Sequence, residues 1–129
     1  MTLRISAIFL LPSWVIGPVL RAQSVFHDSH APQVSFASAE IGRAFGPQRA
    51  TPDRGMRDLT SDNSSLRFAI AAGADESKAL AQTLRVAPLK TTAPQSYAIR
   101  RTEARGRVTI AVLGADPIGA MYGGLNRST

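Results

Sequence analysis

Apolar residues are nearly continuous from Ile5 to Leu20, and beyond Gln23 they recur at spacings of two and of three to four. The change marks a terminal segment followed by a folded chain. Residues 66–72, "LRFAIAA", place Leu66, Phe68 and Ile70 on one side, the alternation of a strand with one buried face. "SYAIRRT" and "RVTIAVL" alternate in the same way on either side of "EARG", where Gly106 supplies a turn, so they form a hairpin. Between these strands, residues 74–88 carry Ala79, Leu80, Thr83, Leu84 and Ala87 along one helical stripe. Asp75 is the expected N-cap and Pro88 the stop. Upstream, "QVSF" (Gln33 to Phe36) reads as a short strand; Ala37, Ile41, Ala44 and Phe45 follow at helical spacing before Gly46-Pro47. Gln23 to Pro32 is polar and reads as an irregular leader, residues 49–65 as a turn-rich surface loop, and residues 89–95 as a linker. A last helix begins at Asp116, with Pro117 at its first position. The order β-α-β-α-β-β-α predicts an α+β fold, with helices packed on one face of a small, mostly antiparallel sheet.

The apolar terminus changes where this fold is expected to work. Met1 to Ala22 has a basic start at Arg4, an apolar run, and small Ala22 at a tolerable cleavage position, which outlines a signal peptide. The rival reading is a membrane anchor, but the run falls short of the ~20 residues that cross a bilayer, and Pro12, Gly17 and Pro18 interrupt it. The expectation is a secreted or periplasmic protein with a leader over 23–32 and one domain over 33–129. The chain has 129 residues, no cysteine and a net charge of +6. Disulfides, thiolate metal sites and cysteine nucleophiles are thereby excluded. Arg4 and Arg21 lie in the apolar terminus without acids, leaving +4 for the rest, a diffuse excess that does not call for nucleic acid.

Residues 107–125, "RVTIAVLGADPIGAMYGGL", pose the question of a nucleotide, because strand, glycine turn and helix is the layout of a phosphate loop. A P-loop needs lysine and a hydroxyl after its last glycine, and here Ala120 and Met121 follow Gly119. The three-glycine dinucleotide pattern is also missing, since Ala115 and Asp116 occupy its start. Asp116 at the N-cap satisfies the amides a phosphate would use, and it repels an anion. No nucleotide and no cofactor are expected. Glycine costs a helix roughly 1 kcal/mol against alanine, so Gly119, Gly123 and Gly124 point to close approach by another layer.

Ser96, Tyr97, Ile99, Gly114, Asp116, Gly119, Tyr122, Gly123 and Leu125 together form a pattern of S-Y-x-I, a strand ending in G-x-D, and a helix with G-x-x-Y-G-x-L. It resembles the accessory N-terminal domain of bacterial glycoside hydrolases of the beta-hexosaminidase and alpha-glucuronidase type. The resemblance covers about thirty residues, and Val34 to Ala72 is merely compatible with it. It implies a non-catalytic domain whose helices pack between its own sheet and a (β/α)8 barrel. The family chain continues into that barrel and this one ends at "NRST", so no catalytic residue is carried over. On this reading Met121, Tyr122 and Leu125, with Leu80 and Leu84, make an apolar strip for the barrel or another protein. The alternatives are a free-standing secreted module that binds a polysaccharide or protein, and a small hydrolase.

Other chemistry-bearing residues are weaker. His27, Asp28 and His30 in "HDSH" offer metal ligands, but a solvated leader is the plainer account, and no metal is expected. Arg100, Arg101, Arg105 and Arg107 ring the hairpin turn and could hold an acidic sugar, or simply stay in water. Asp53, Asp58 and Asp62 miss the calcium-loop spacing and are interleaved with Arg54 and Arg57. Asn63 and Asn126 head glycosylation sequons that matter only in a eukaryotic secretory route. The lone Trp14 lies in the apolar terminus, which leaves few aromatics for a sugar platform. Exported protein should begin near Gln23 on N-terminal sequencing; intact Met1 confined to the cytosol would contradict the signal reading.

Overall fold

A computed structural model of the chain describes residues 23–45 and 54–128. The signal-peptide reading of Met1 to Ala22, the Gly46-Pro47 stop and Asp53 lie outside the described residues. Among the described residues, four strands and three α-helices follow one another as β1 (Gln23–Phe26), α1 (Pro32–Phe45), β2 (Leu66–Ala72), α2 (Ala74–Leu84), β3 (Tyr97–Ala104), β4 (Arg107–Gly114) and α3 (Pro117–Ser128). The element order is the predicted one, and the class is α+β. The sheet, however, runs β1-β2-β4-β3. β1 pairs with β2 and β2 with β4 in parallel, and only the β3–β4 hairpin is antiparallel. The expectation of a mostly antiparallel sheet is therefore corrected to a mixed one. The hairpin was visible in sequence because two-residue turns leave a local signature. Parallel pairing joins distant segments and leaves none.

The first strand also lies elsewhere than expected. "QVSF" is not a strand but the first turns of α1. Pro32 sits at the helix start, where its missing N–H costs nothing, and Ser29 Oγ accepts the Ala31 N–H at 3.1 Å. Val34 then joins Ala37, Ser38 and Ile41 in one buried stripe at i, i+3, i+4, i+7, leaving Ala44 exposed. The strand is instead "QSVF" in the presumed leader, where Val25 and Phe26 are buried on opposite faces of the sheet.

Helices cover both faces of the sheet, which corrects the one-face expectation. On one face Val25, Phe68, Ile70, Ile110 and Val112 meet Val34 and Ile41 of α1 and Ala120 of α3. On the other, Phe26, Ala69, Ala71, Ala111 and Leu113 meet Leu80 and Ala81 of α2. β2 and β4 thus bury both sides, as parallel strands between helical layers do. Each large apolar side chain so buried contributes ~1.5–3 kcal/mol.

The predicted stripe of α2 is rotated: Ser77, Leu80 and Ala81 are buried while Ala79 and Thr83 are exposed. Buried Ser77 Oγ donates to Gly114 O at 2.7 Å and pins α2 to the end of β4. Asp75 is in the first turn rather than at the cap, which is Gly73. The helix ends at Leu84, well short of Pro88, and its cap Arg85 has a left-handed backbone (φ 58°) that returns its N–H to the Ala81 and Gln82 carbonyls. The loop before β2 is not wholly at the surface either. Leu59 is fully buried in the α2-side core, and Asp62 is buried beneath Arg54.

Candidate functional site

α3 lies against the sheet through its smallest residues. Gly119, Ala120, Gly123 and Gly124 are buried, whereas Ile118, Met121 and Leu125 are half-buried and Tyr122 is 45% exposed. At 100° per residue the small set occupies one arc and the large set the opposite arc. A Cβ added at Gly119 would stand 2.2 Å from Ser96 O, one at Gly123 2.5 Å from Val112 Cγ1, and one at Gly124 2.8 Å from Ala37 Cβ in α1. At Gly114 it would meet the Ala120 nitrogen at 2.6 Å. Only glycine fits these positions, because the backbone itself makes the contact.

The residues flanking these contacts close into a clasp. Asp116 Oδ1 accepts the Gly119 N–H at 2.8 Å and so caps α3, while Oδ2 accepts the Gln95 N–H at 3.0 Å. Gln95 holds a left-handed backbone (φ 64°), a conformation that costs a non-glycine residue free energy and that the Asp116 carboxylate helps fix. Ser96 O accepts the Ala115 N–H at 3.0 Å, and Ser96 Oγ donates to Ala93 O at 2.6 Å. The Tyr97 ring edge lies over Gly123, and Ile99 packs onto the α1–α3 core. Seven of the nine motif residues therefore act in one junction of hairpin, turn and helix, while Tyr122 and Leu125 lie on the outward arc. The carboxylate also fills the helix N-terminus where a phosphate would sit. Hydrogen bonds from Gln95, Gly119 and Ile118 N–H groups hold its pKa below the ordinary carboxylate range.

Leu80 and Leu84 do not extend the α3 strip. Both belong to the core on the opposite face of the sheet, and Leu80 is buried. α3 itself has 12 residues, a little over three turns. His27, Asp28 and His30 border a polar hollow of about 390 Å³. Asp28 Oδ1 is engaged by the Met56 N–H at 2.8 Å, and no cluster of three or more metal-ligating side chains occurs among the described residues. Asp62 accepts from Arg54 Nη1 at 2.6 Å and from Ser64 N at 2.9 Å, which gives it a structural role, and Asp58 lies in a 3-10 turn.

The arginines around the hairpin turn divide. Arg100 donates to the carbonyls of Ala87 and Pro88, and Arg101 pairs with Glu103 on the α1–α3 face. Arg105 and Arg107 instead meet Arg67, which sequence reading had passed over, around a cavity of about 340 Å³ on the α2 face. Arg67 sits opposite Thr109 in the β2–β4 register, and its Nε and Nη2 donate to Thr109 Oγ1 at 3.0 and 2.7 Å. Its Nη1 donates to Leu59 O at 2.5 Å. A charged residue at an inward position of a strand was the available signal, hidden because β2 was expected to be buried on one face only.

Compared with family models and with curated proteins, the chain matches none.

Two outcomes test the clasp. Gly119→Ala should destabilise the fold by ~1–3 kcal/mol, since the Ser96 carbonyl must move, while Gly42→Ala, with nothing within 4 Å, should stabilise it by ~0.5–1 kcal/mol. Thermal unfolding of both variants checks the opposite signs. Because the folded carboxyl pKa of Asp116 is depressed, its contribution is fully present above the ordinary carboxylate pKa and is lost as pH falls through the lower folded value. Asp116→Asn should therefore flatten the acid limb of the stability–pH curve; an unchanged limb would remove Asp116 from that role.

Proposed function

We propose that this chain is an exported, non-catalytic accessory domain of the glycoside hydrolase type, and that the outward arc of α3 packs against a catalytic barrel. The observation that carries the reading is the inverted character of α3. Its small residues face the sheet, and Ile118, Met121, Tyr122 and Leu125 are turned away from it. A surface helix ordinarily presents polar residues outward, and a contiguous apolar arc marks a contact surface. The motif residues that carry the resemblance join this helix to the hairpin, so they orient the arc rigidly. Export rests on the basic start at Arg4, the apolar run and small Ala22 in the sequence.

No helix among the described residues is long and apolar enough to cross a membrane. Substrate chemistry belongs to the barrel, and the chain contributes stability and orientation. The barrel, or another protein on the same face, is the proposed partner.

The free-standing binding module is the second reading, and the arginine-lined cavity favours it, because packing alone gives no reason to gather three guanidinium groups.

The test is reconstitution. A beta-hexosaminidase or alpha-glucuronidase barrel lacking its own accessory domain should bind the purified protein, and Met121→Ser with Leu125→Ser should weaken binding at least tenfold. The protein alone should bind a hydrophobic dye and leave aryl glycosides of hexosamine and glucuronate uncleaved. A monomer that excludes dye and ignores the barrel would overturn the reading.

A further inference from the structure

The α2 face of the sheet is covered over only part of its length. α2 packs on Ala69, Ala71, Ala111 and Leu113, and ends at Leu84. Beyond it the same face continues through Arg67, Thr109, Thr102 and Arg107, and these line the 340 Å³ cavity with Arg105 from the turn and Thr60 and Thr83 at its rim. Every polar side chain of this lining is a guanidinium or a hydroxyl, and none is a carboxylate. The acid nearest in effect is Asp62, whose oxygens are engaged by Arg54, Ser24 and Ser64. Arg107 Nη1 donates to the Asp62 carbonyl at 2.7 Å rather than to its carboxylate. Arg105 has no hydrogen-bond or ion-pair partner among the described residues. Thr109 Oγ1, itself buried, accepts both Arg67 N–H groups and so anchors that guanidinium at the floor of the cavity. Burial, and then the charge of Arg107, both press against the ionised form of Arg67, with Asp62 acting in the opposite sense. An anion in the cavity would offset the repulsion from Arg107.

We propose that this cavity binds a tetrahedral oxyanion, phosphate or sulfate, held by Arg67, Arg105 and Arg107 above the buried Thr109. Guanidinium forks match such anions through charge-assisted paired hydrogen bonds. The volume lies at the lower end of small-molecule pockets, ~300–1,000 Å³, so the anion is carried as an ester on a small polar molecule rather than bound bare. The inference is independent of the accessory-domain reading.

Titration of the full protein with inorganic phosphate, inorganic sulfate and glucose 6-phosphate, followed by NMR of the backbone amides and arginine Nε–H groups, tests it. Perturbations should centre on residues 59–60, 83–84 and 102–109, with glucose 6-phosphate binding more tightly than either free ion. Equal affinities would leave the anion site in place and overturn the ester. Arg105→Asn keeps a residue that tolerates the left-handed turn and should weaken binding about tenfold, the loss of one charge-assisted contact. Arg101→Gln removes the same charge from the opposite face of the sheet and should change nothing. No binding at millimolar ligand, or equal weakening by both variants, would reduce the cavity to diffuse charge and overturn the proposal.

Discussion

The contact on which one whole side of this molecule depends is that of the α3 backbone with the Ser96 carbonyl. No side chain fits between them at Gly119, and none fits at Gly123 against Val112 or at Gly124 against α1. Interiors are close-packed, so helix, hairpin and α1 come to one fixed separation. Glycine at three helical positions costs helix propensity, roughly 1 kcal/mol each. The cost is offset by burial of β4 and α1 that a bulkier helix would hold apart. Asp116 then fixes the helix start and the segment before β3 with one carboxylate, so the helix cannot slide along the groove its glycines make.

That constraint decides what α3 presents outward. A helix that spends its small residues on the core has its large ones left for the far side, and here Ile118, Met121, Tyr122 and Leu125 take it. Packing beneath and contact above are thus two consequences of one sequence pattern.

Local features of the fold were readable in the sequence because their causes are local. The two-residue turn needs positive φ at both Arg105 and Gly106, and it has 55° and 77°. Asp116-Pro117 carries its helix start in two adjacent residues. The partners of β1 and β2, by contrast, are 43 and 42 residues away in sequence (Gln23 with Leu66, Leu66 with Val108), and such pairing leaves no periodic trace. "QVSF" and "QSVF" have the same composition. Only the stripe that Val34 shares with Ile41, and the burial of Val25 and Phe26 on opposite faces, assign one to helix and the other to strand. At the candidate site the clasp was legible as unexplained glycines with a capping acid. The cavity was not, since Arg67 reaches Arg107 only through the parallel register.

The two faces of the sheet end differently for a reason traceable to one residue. α2 stops at Arg85, where the backbone turns left-handed and the last carbonyls are satisfied by the returning N–H groups of Arg85 and Val86. Another turn of helix would lie over Thr102 and Thr109 and would require apolar residues beneath it. The strands instead carry Arg67, Thr102, Thr109 and Arg107 there, residues that an apolar helix could not bury without leaving charges unpaired. Early termination of α2 and polar inward positions on three strands are therefore one arrangement. Its arginines stay accessible on the face away from α3, so occupancy of the cavity and docking of α3 need not compete.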